Sequence, residues 1–245
     1  MRALPVKGLV VPLGLLVLWQ TAVTTGLYGR EQLPPPSDLV EAGAELIRRG
    51  ELWQHLAVSC RRVLTGFLLG ATAALVLGAL VGMVKPVRDL AAPTIAAVRA
   101  VPSLAWVPLL VLWMGIGEGP KITLVAIGAF FPIYTTVSAA LAHADAHLLE
   151  VGRAYGLQGP TLLTRILLPS IAPAAFAGLR LGLAQAWLFL VAAELIASAA
   201  GLGFLLVDSQ NTGRTDILLL SILLLALLGK LTDTALGLLE RRIPT

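Results

Sequence analysis

The chain has 245 residues, of which 57% are apolar before its 24 glycines are counted and only 13% are charged. Soluble domains run at roughly 45–50% apolar with glycine included and about 25% charged, so this composition excludes a disordered chain, a disulfide scaffold and an ordinary soluble enzyme. It describes a chain built to dissolve in lipid, and its net charge of +4 then belongs to loops that set orientation rather than to nucleic-acid binding.

A spanning helix needs about 20 apolar residues to cross roughly 30 Å of hydrocarbon. The first candidate is the charge-free run Gly8 to Gly29. It is longer than the apolar core of a leader peptide and no small-residue cleavage site follows, so it reads as a retained anchor. Pro34-Pro35-Pro36 and then Ser37-Asp38 predict a stiff turn into a short amphipathic helix. Charge-free stretches over Val63–Val84 and Ala100–Gly117 give the second and third spans, the third entered through Arg99 and Pro102. A Gly-Glu-Gly-Pro-Lys break at 117–121 precedes the fourth, Ile122–Ala142. The fifth runs from about Ala172 to Ala199 and carries Arg180 and Glu194; the last runs from about Asp216 to Leu239. The expectation is an all-α integral membrane protein with about six transmembrane helices.

With the N-terminus inside, the inner segments hold eleven Lys and Arg and the outer segments seven. That bias predicts cytoplasmic termini. Residues 1–55 then form an anchor helix with an external Pro-rich and amphipathic segment, and residues 56–240 the main membrane domain. Along the second span Gly66, Gly70, Ala74, Gly78 and Gly82 recur every four residues. Such a ladder lets helix backbones approach closely in lipid; its partner, another helix of this chain or a second copy, is left open.

Glu194 is the one acid well inside a span, where a charge costs on the order of 2.5–3.5 kcal/mol at the helix centre. It reads either as a gate or pathway residue or as an interface residue satisfied by water or another helix. Arg180 is 14 residues away, about 21 Å along one helix, so the two cannot pair within it; Arg99 and Arg180 are expected to snorkel. His143 and His147 stand at i, i+4 beside Asp145 and Glu150 but lack the H-E-x-x-H arrangement. No metal, cofactor or catalytic group is assigned.

The long loop 143–171 is the informative stretch. From Glu150 it reads EVGRAYGLQGPTLLTRILLP, which fits E-A-A-x3-G-x9-I-x-L-P at Glu150, Gly156, Ile166, Leu168 and Pro169, with Val151 and Gly152 where the pattern has alanines. Gly152 weakens the first short helix by about 1 kcal/mol relative to Ala. Two short helices hinged at Gly156 would project a partly apolar knob, with Tyr155 and Leu157 flanking the turn. Pro169 and Pro173 would stop the surface helix and restart the next span.

This loop resembles the EAA loop of the permease subunits of ATP-binding-cassette importers. LPPPSDLV at 33–40, LWMGIGE at 112–118, KITLVAIGAFFPIY at 121–134, AWLFLVAAELI at 186–196 and GLGFLL at 201–206 are similar to the nitrate, taurine and aliphatic-sulfonate branch, and most similar to its aliphatic-sulfonate permeases. The resemblance implies a type I (MetI-like) permease fold in a bacterial inner membrane. It further implies a homodimer, two cytosolic ATPase subunits and an external solute-binding protein. Alternating access would carry a small anion, an aliphatic sulfonate, or alternatively taurine, nitrate, bicarbonate or a pyrimidine precursor. Catalysis of ATP hydrolysis would belong to the partner, and Glu150, Tyr155, Gly156, Leu157 and Pro169 would couple to it. The other class to weigh is an ion-coupled secondary transporter, which should show an internal repeat and several intramembrane acids; here only Glu194 qualifies.

Overall fold

The computed structural model describes residues 6–242, and every regular element among them is helical. The chain falls into two compact units: Met1–Val58 with Ala199–Ala226, and Ser59–Ser198 with Leu227–Thr245.

In the first unit, α1 (Val6–Thr24) is an apolar helix, shorter over its described side chains than the spanning helices. Helix α2 (Pro36–Arg48) starts on proline, which lacks only an N–H that the first turn leaves unpaired anyway, and carries Asp38 in its first turn and Arg48 in its last. Gly50 takes up φ +75 just beyond it, the left-handed turn that glycine makes cheaply. Its apolar stripe of Ala42 and Leu46 is buried with Leu52, Leu205 and Ile217, which come from the starts of α3 (Glu51–Met83) and α11 (Thr215–Glu240) and from α10 (Leu202–Asn211). Arg214 fastens this unit: its guanidinium donates to Glu45 at 2.8 Å and forks onto Asp216 at 3.0 and 2.8 Å.

The second unit is built around α6 (Glu118–Ala142), packed between the remainder of α3 and α9 (Leu168–Ala197). The glycine ladder faces α6. A Cβ at Gly70 would lie 2.3 Å from the Ala126 carbonyl oxygen, one at Gly66 2.6 Å from Val125, and one at Gly82 2.5 Å from Leu141. The ladder's partner is therefore a helix of this chain. On the opposite side Gly182 gives the same close approach, 2.9 Å from the Ala129 carbonyl, and Gly178 faces Thr136 at 3.0 Å. Backbone proximity replaces the hydrophobic drive that lipid cannot supply. Further along α9, Arg180 forks onto Asp233 of α11 at 2.8 and 3.0 Å and reaches Glu240 at 3.5 Å, while the Trp187 indole donates to Thr232 at 3.0 Å. Arg180 is thus a helix-to-helix strap rather than a snorkelling side chain.

Four helices are long and apolar enough to span: Glu51–Met83, Glu118–Ala142, Leu163–Ile196 and Thr215–Glu240. The first runs to about 50 Å, so it exceeds the hydrocarbon thickness. The expected straight span over Ala100–Gly117 is absent. In its place α4 (Lys85–Ala100) and a segment Ser103–Met114, ending in α5 (Val107–Met114), meet at 87°. The bend is local chemistry: Val101 precedes Pro102, whose ring forces it to an extended backbone, φ −72 and ψ 123. Arg88 of α4 turns back to cap the Val81 and Gly82 carbonyls at the end of α3.

Candidate functional site

The predicted knob forms at the end of α6. Asp145 caps α7 (Ala146–Ala154) by accepting from the His147 N–H at 2.9 Å. At the other end Leu157 N–H bonds the Gly152 carbonyl at 3.0 Å and Gly156 N–H bonds the Arg153 carbonyl at 2.9 Å. This Schellman pairing requires a left-handed residue at 156, and Gly156 sits at φ +74. Gly152, where the EAA pattern has alanine, leaves room for the chain that returns: a Cβ there would meet Leu162 at 2.4 Å. Leu162 closes the short α8 (Gly159–Leu162). Glu150 and Tyr155 project into the open, Tyr155 at 82% exposure, with Leu157 half-buried.

Pro169 does not stop the surface helix. A π-turn over Leu163–Leu167, in which Leu168 N–H reaches the Leu163 carbonyl five residues back, carries the helix into α9, with Pro169 in its first turn and Pro173 inside it. Pro169 has no N–H to donate, and the wider turn absorbs the missing bond. Four of the five predicted residues thus share one knob, and the fifth stands on the helix that leaves it.

At the far end of α6 a second cluster forms. Glu194 of α9 is fully buried and accepts from Arg62 Nη1 at 2.7 Å and from Ser59 Oγ at 2.9 and 3.0 Å. Arg62 is 3% exposed. Its Nε and Nη2 form a bidentate fork on Glu118 at 2.7 and 2.6 Å, and Nη1 also meets Ser198 at 3.0 Å. Buried Lys121 reaches Glu118 at 3.3 Å. In lipid such charges persist only when paired. Glu194 is thus satisfied by another helix, through Arg62 and Ser59 of α3. Arg62, expected in an outer loop, is the residue that sequence reasoning missed. Its signal was the ladder itself: 62 is one four-residue step from Gly66, on the side of α3 that meets α6.

His143 Nδ1 lies 2.8 Å from the Ala139 carbonyl, and His147 Nδ1 is 3.9 Å from Glu150. Among the described residues no group of three metal-ligating side chains gathers.

The geometry defines a class: a polytopic helical protein with small-residue helix packing, an exposed knob at one end of its central helix and a buried ion network at the other. Residues 66–244 match the family of binding-protein-dependent transport system inner membrane components, and the chain belongs to that family. It is 38% identical over 237 residues to the aliphatic sulfonates transport permease protein SsuC of Bacillus subtilis (strain 168), covering 97% of this chain and 86% of that one. It is 40% identical to the protein of the same name from Escherichia coli (strain K12), over 94% and 88%. Against the taurine transport system permease protein TauC of Escherichia coli (strain K12) it is 34% identical over 94% and 85%. The fold is that of a chain of the MetNI methionine ABC transporter, with a TM-score of 0.64 at 23% identity over 82% of this chain and 96% of that one. The chain is a multi-pass inner-membrane permease of an ABC importer, a transport protein rather than an enzyme. Its family implies an ATPase and a solute-binding protein as partners.

Proposed function

We propose that two copies of this chain form the translocation path for a small anion, an aliphatic sulfonate, and work by alternating access. Two cytosolic ATPase subunits would close on ATP and swing the bundles to open the cavity outward, where an external binding protein delivers the substrate; hydrolysis would reset it. Residues 1–55 act as anchor and external segment, 56–240 as the permease domain, and both termini face the cytoplasm. Glu150, Tyr155, Gly156 and Leu157 on the knob, with Pro169 behind it, form the contact with the ATPase. The observation that carries this reading is the exposed knob turned on Gly156 at φ +74. It offers an apolar and charged projection to a groove of a partner, and it stands at one end of α6 while the ion network stands at the other. The sulfonate is supported by the names of the relatives, and taurine, also a sulfonate, is the nearest alternative.

The test is reconstitution of the chain in proteoliposomes with its ATPase and binding protein. Uptake of ethanesulfonate should need ATP and persist with ion gradients collapsed. Uptake that follows an ion gradient without ATP would overturn the reading.

A further inference from the structure

The buried ion network holds more than a structural pair. Arg62 has two faces, each occupied by a different carboxylate: Nη1 by Glu194, which is fully buried, and the Nε/Nη2 fork by Glu118. The two acids differ in setting. Glu194 lies deep in α9 and is further tied by Ser59. Glu118 is the first residue of α6, its side chain is 40% exposed, and the chain before it turns at Gly115 with φ +74. Glu118 also gathers Lys121 at 3.3 Å and, on the open side, Arg61 at 3.9 Å.

We infer that the Glu118 carboxylate is an internal stand-in for the transported anion, and that a sulfonate takes its place on Arg62 and Lys121. A planar guanidinium fork accepts two oxygens of a sulfonate as it accepts two of a carboxylate. With Glu118 in place, buried Arg62 and Lys121 are matched by two carboxylates, and Arg61 adds a third cation on the open side. With Glu118 swung out, Arg61, Arg62 and Lys121 outnumber the Glu194 carboxylate, and the surplus positive charge suits a monoanion. Glu194 stays behind to hold Arg62 in position, which explains an acid in an anion path. The exchange of one carboxylate for one anion lets the cations remain paired in both states, so neither is left bare in the membrane.

This rests on the importer reading and is tested apart from it. The permease assembled with its ATPase subunits in nanodiscs is titrated with ethanesulfonate in gluconate buffer. Glu118→Gln removes the competing charge and should bind ethanesulfonate at least tenfold more tightly than the wild type. Adding Lys121→Met to that variant should bring the affinity back down. Should Glu118→Gln fail to assemble, Lys121→Met alone should weaken binding at least fivefold. A folded Glu118→Gln complex with unchanged affinity, or Lys121→Met with no loss, overturns the site while ATP-driven uptake by the wild type leaves the importer reading standing. Absence of ethanesulfonate uptake by the wild type overturns the substrate reading and this ligand with it.

Discussion

Arg62 and Glu194, 132 residues apart in the chain, meet at 2.7 Å in the interior of the helical bundle. Glu194 could not stay at this depth without Arg62, which is also forked onto Glu118. Removing one partner of a buried pair costs about 3–5 kcal/mol, because the survivor is left uncompensated. Arg62→Met strands the fully buried Glu194 and should therefore lower the melting temperature of the purified permease, and Glu194→Leu added to Arg62→Met should recover much of the loss. A double variant no more stable than the single one would show that the two residues are not coupled.

The α3–α6 contact makes a second prediction. A methyl group at Gly70 would stand 2.3 Å from the Ala126 carbonyl oxygen, a backbone atom that cannot rotate away. Gly70→Ala should destabilise by about 1–3 kcal/mol through overpacking. Gly14→Ala, where nothing lies within 4 Å, should be neutral or stabilising because alanine favours the helix. Thermal melts of the two variants side by side decide the point, and equal melts would remove the close approach as a source of stability.

Gly156 holds the knob's turn at φ +74. A side chain there costs about 1–2 kcal/mol in backbone strain and puts a new group on the proposed contact face. Gly156→Asp should leave the protein in the membrane and abolish ATP-driven uptake. Wild-type uptake by this variant would sink the coupling assignment.

The Arg214 clamp carries a pH signature. The hydrogen bond from Arg214 holds the Glu45 carboxyl below its ordinary range. A depressed carboxyl stabilises the folded state above the unfolded pKa of about 4.3 and ceases to do so as pH falls through the folded value. Hydrogen exchange in α2 should therefore be flat from pH 7 to about 5 once corrected for intrinsic rates, and should rise at lower pH. Glu45→Gln should exchange faster than the wild type from pH 7 to 5, and the two should converge as the pH falls further.

Much of this protein was readable from residue order because bilayer chemistry is local. An apolar run must become a helix to satisfy its own backbone, so α3, α6, α9 and α11 followed from composition. The spacing of Gly66, Gly70, Ala74, Gly78 and Gly82 named the face of α3 that packs closely, and Gly156 named the turn of the knob. What residue order left open were the partners. Whether the ladder met its own chain, which cation met Glu194 and what held Arg180 depend on helices brought together from distant stretches, and ion pairs in lipid are made across helices rather than along them. The bend at Val101–Pro102 belongs to the same class, since an unbroken apolar run concealed the one ring that turns the chain through 87°. Helices arise from each segment's own hydrogen bonding, whereas the buried charges of Arg62, Lys121 and Glu194 are tolerable only once α3, α6 and α9 have come together.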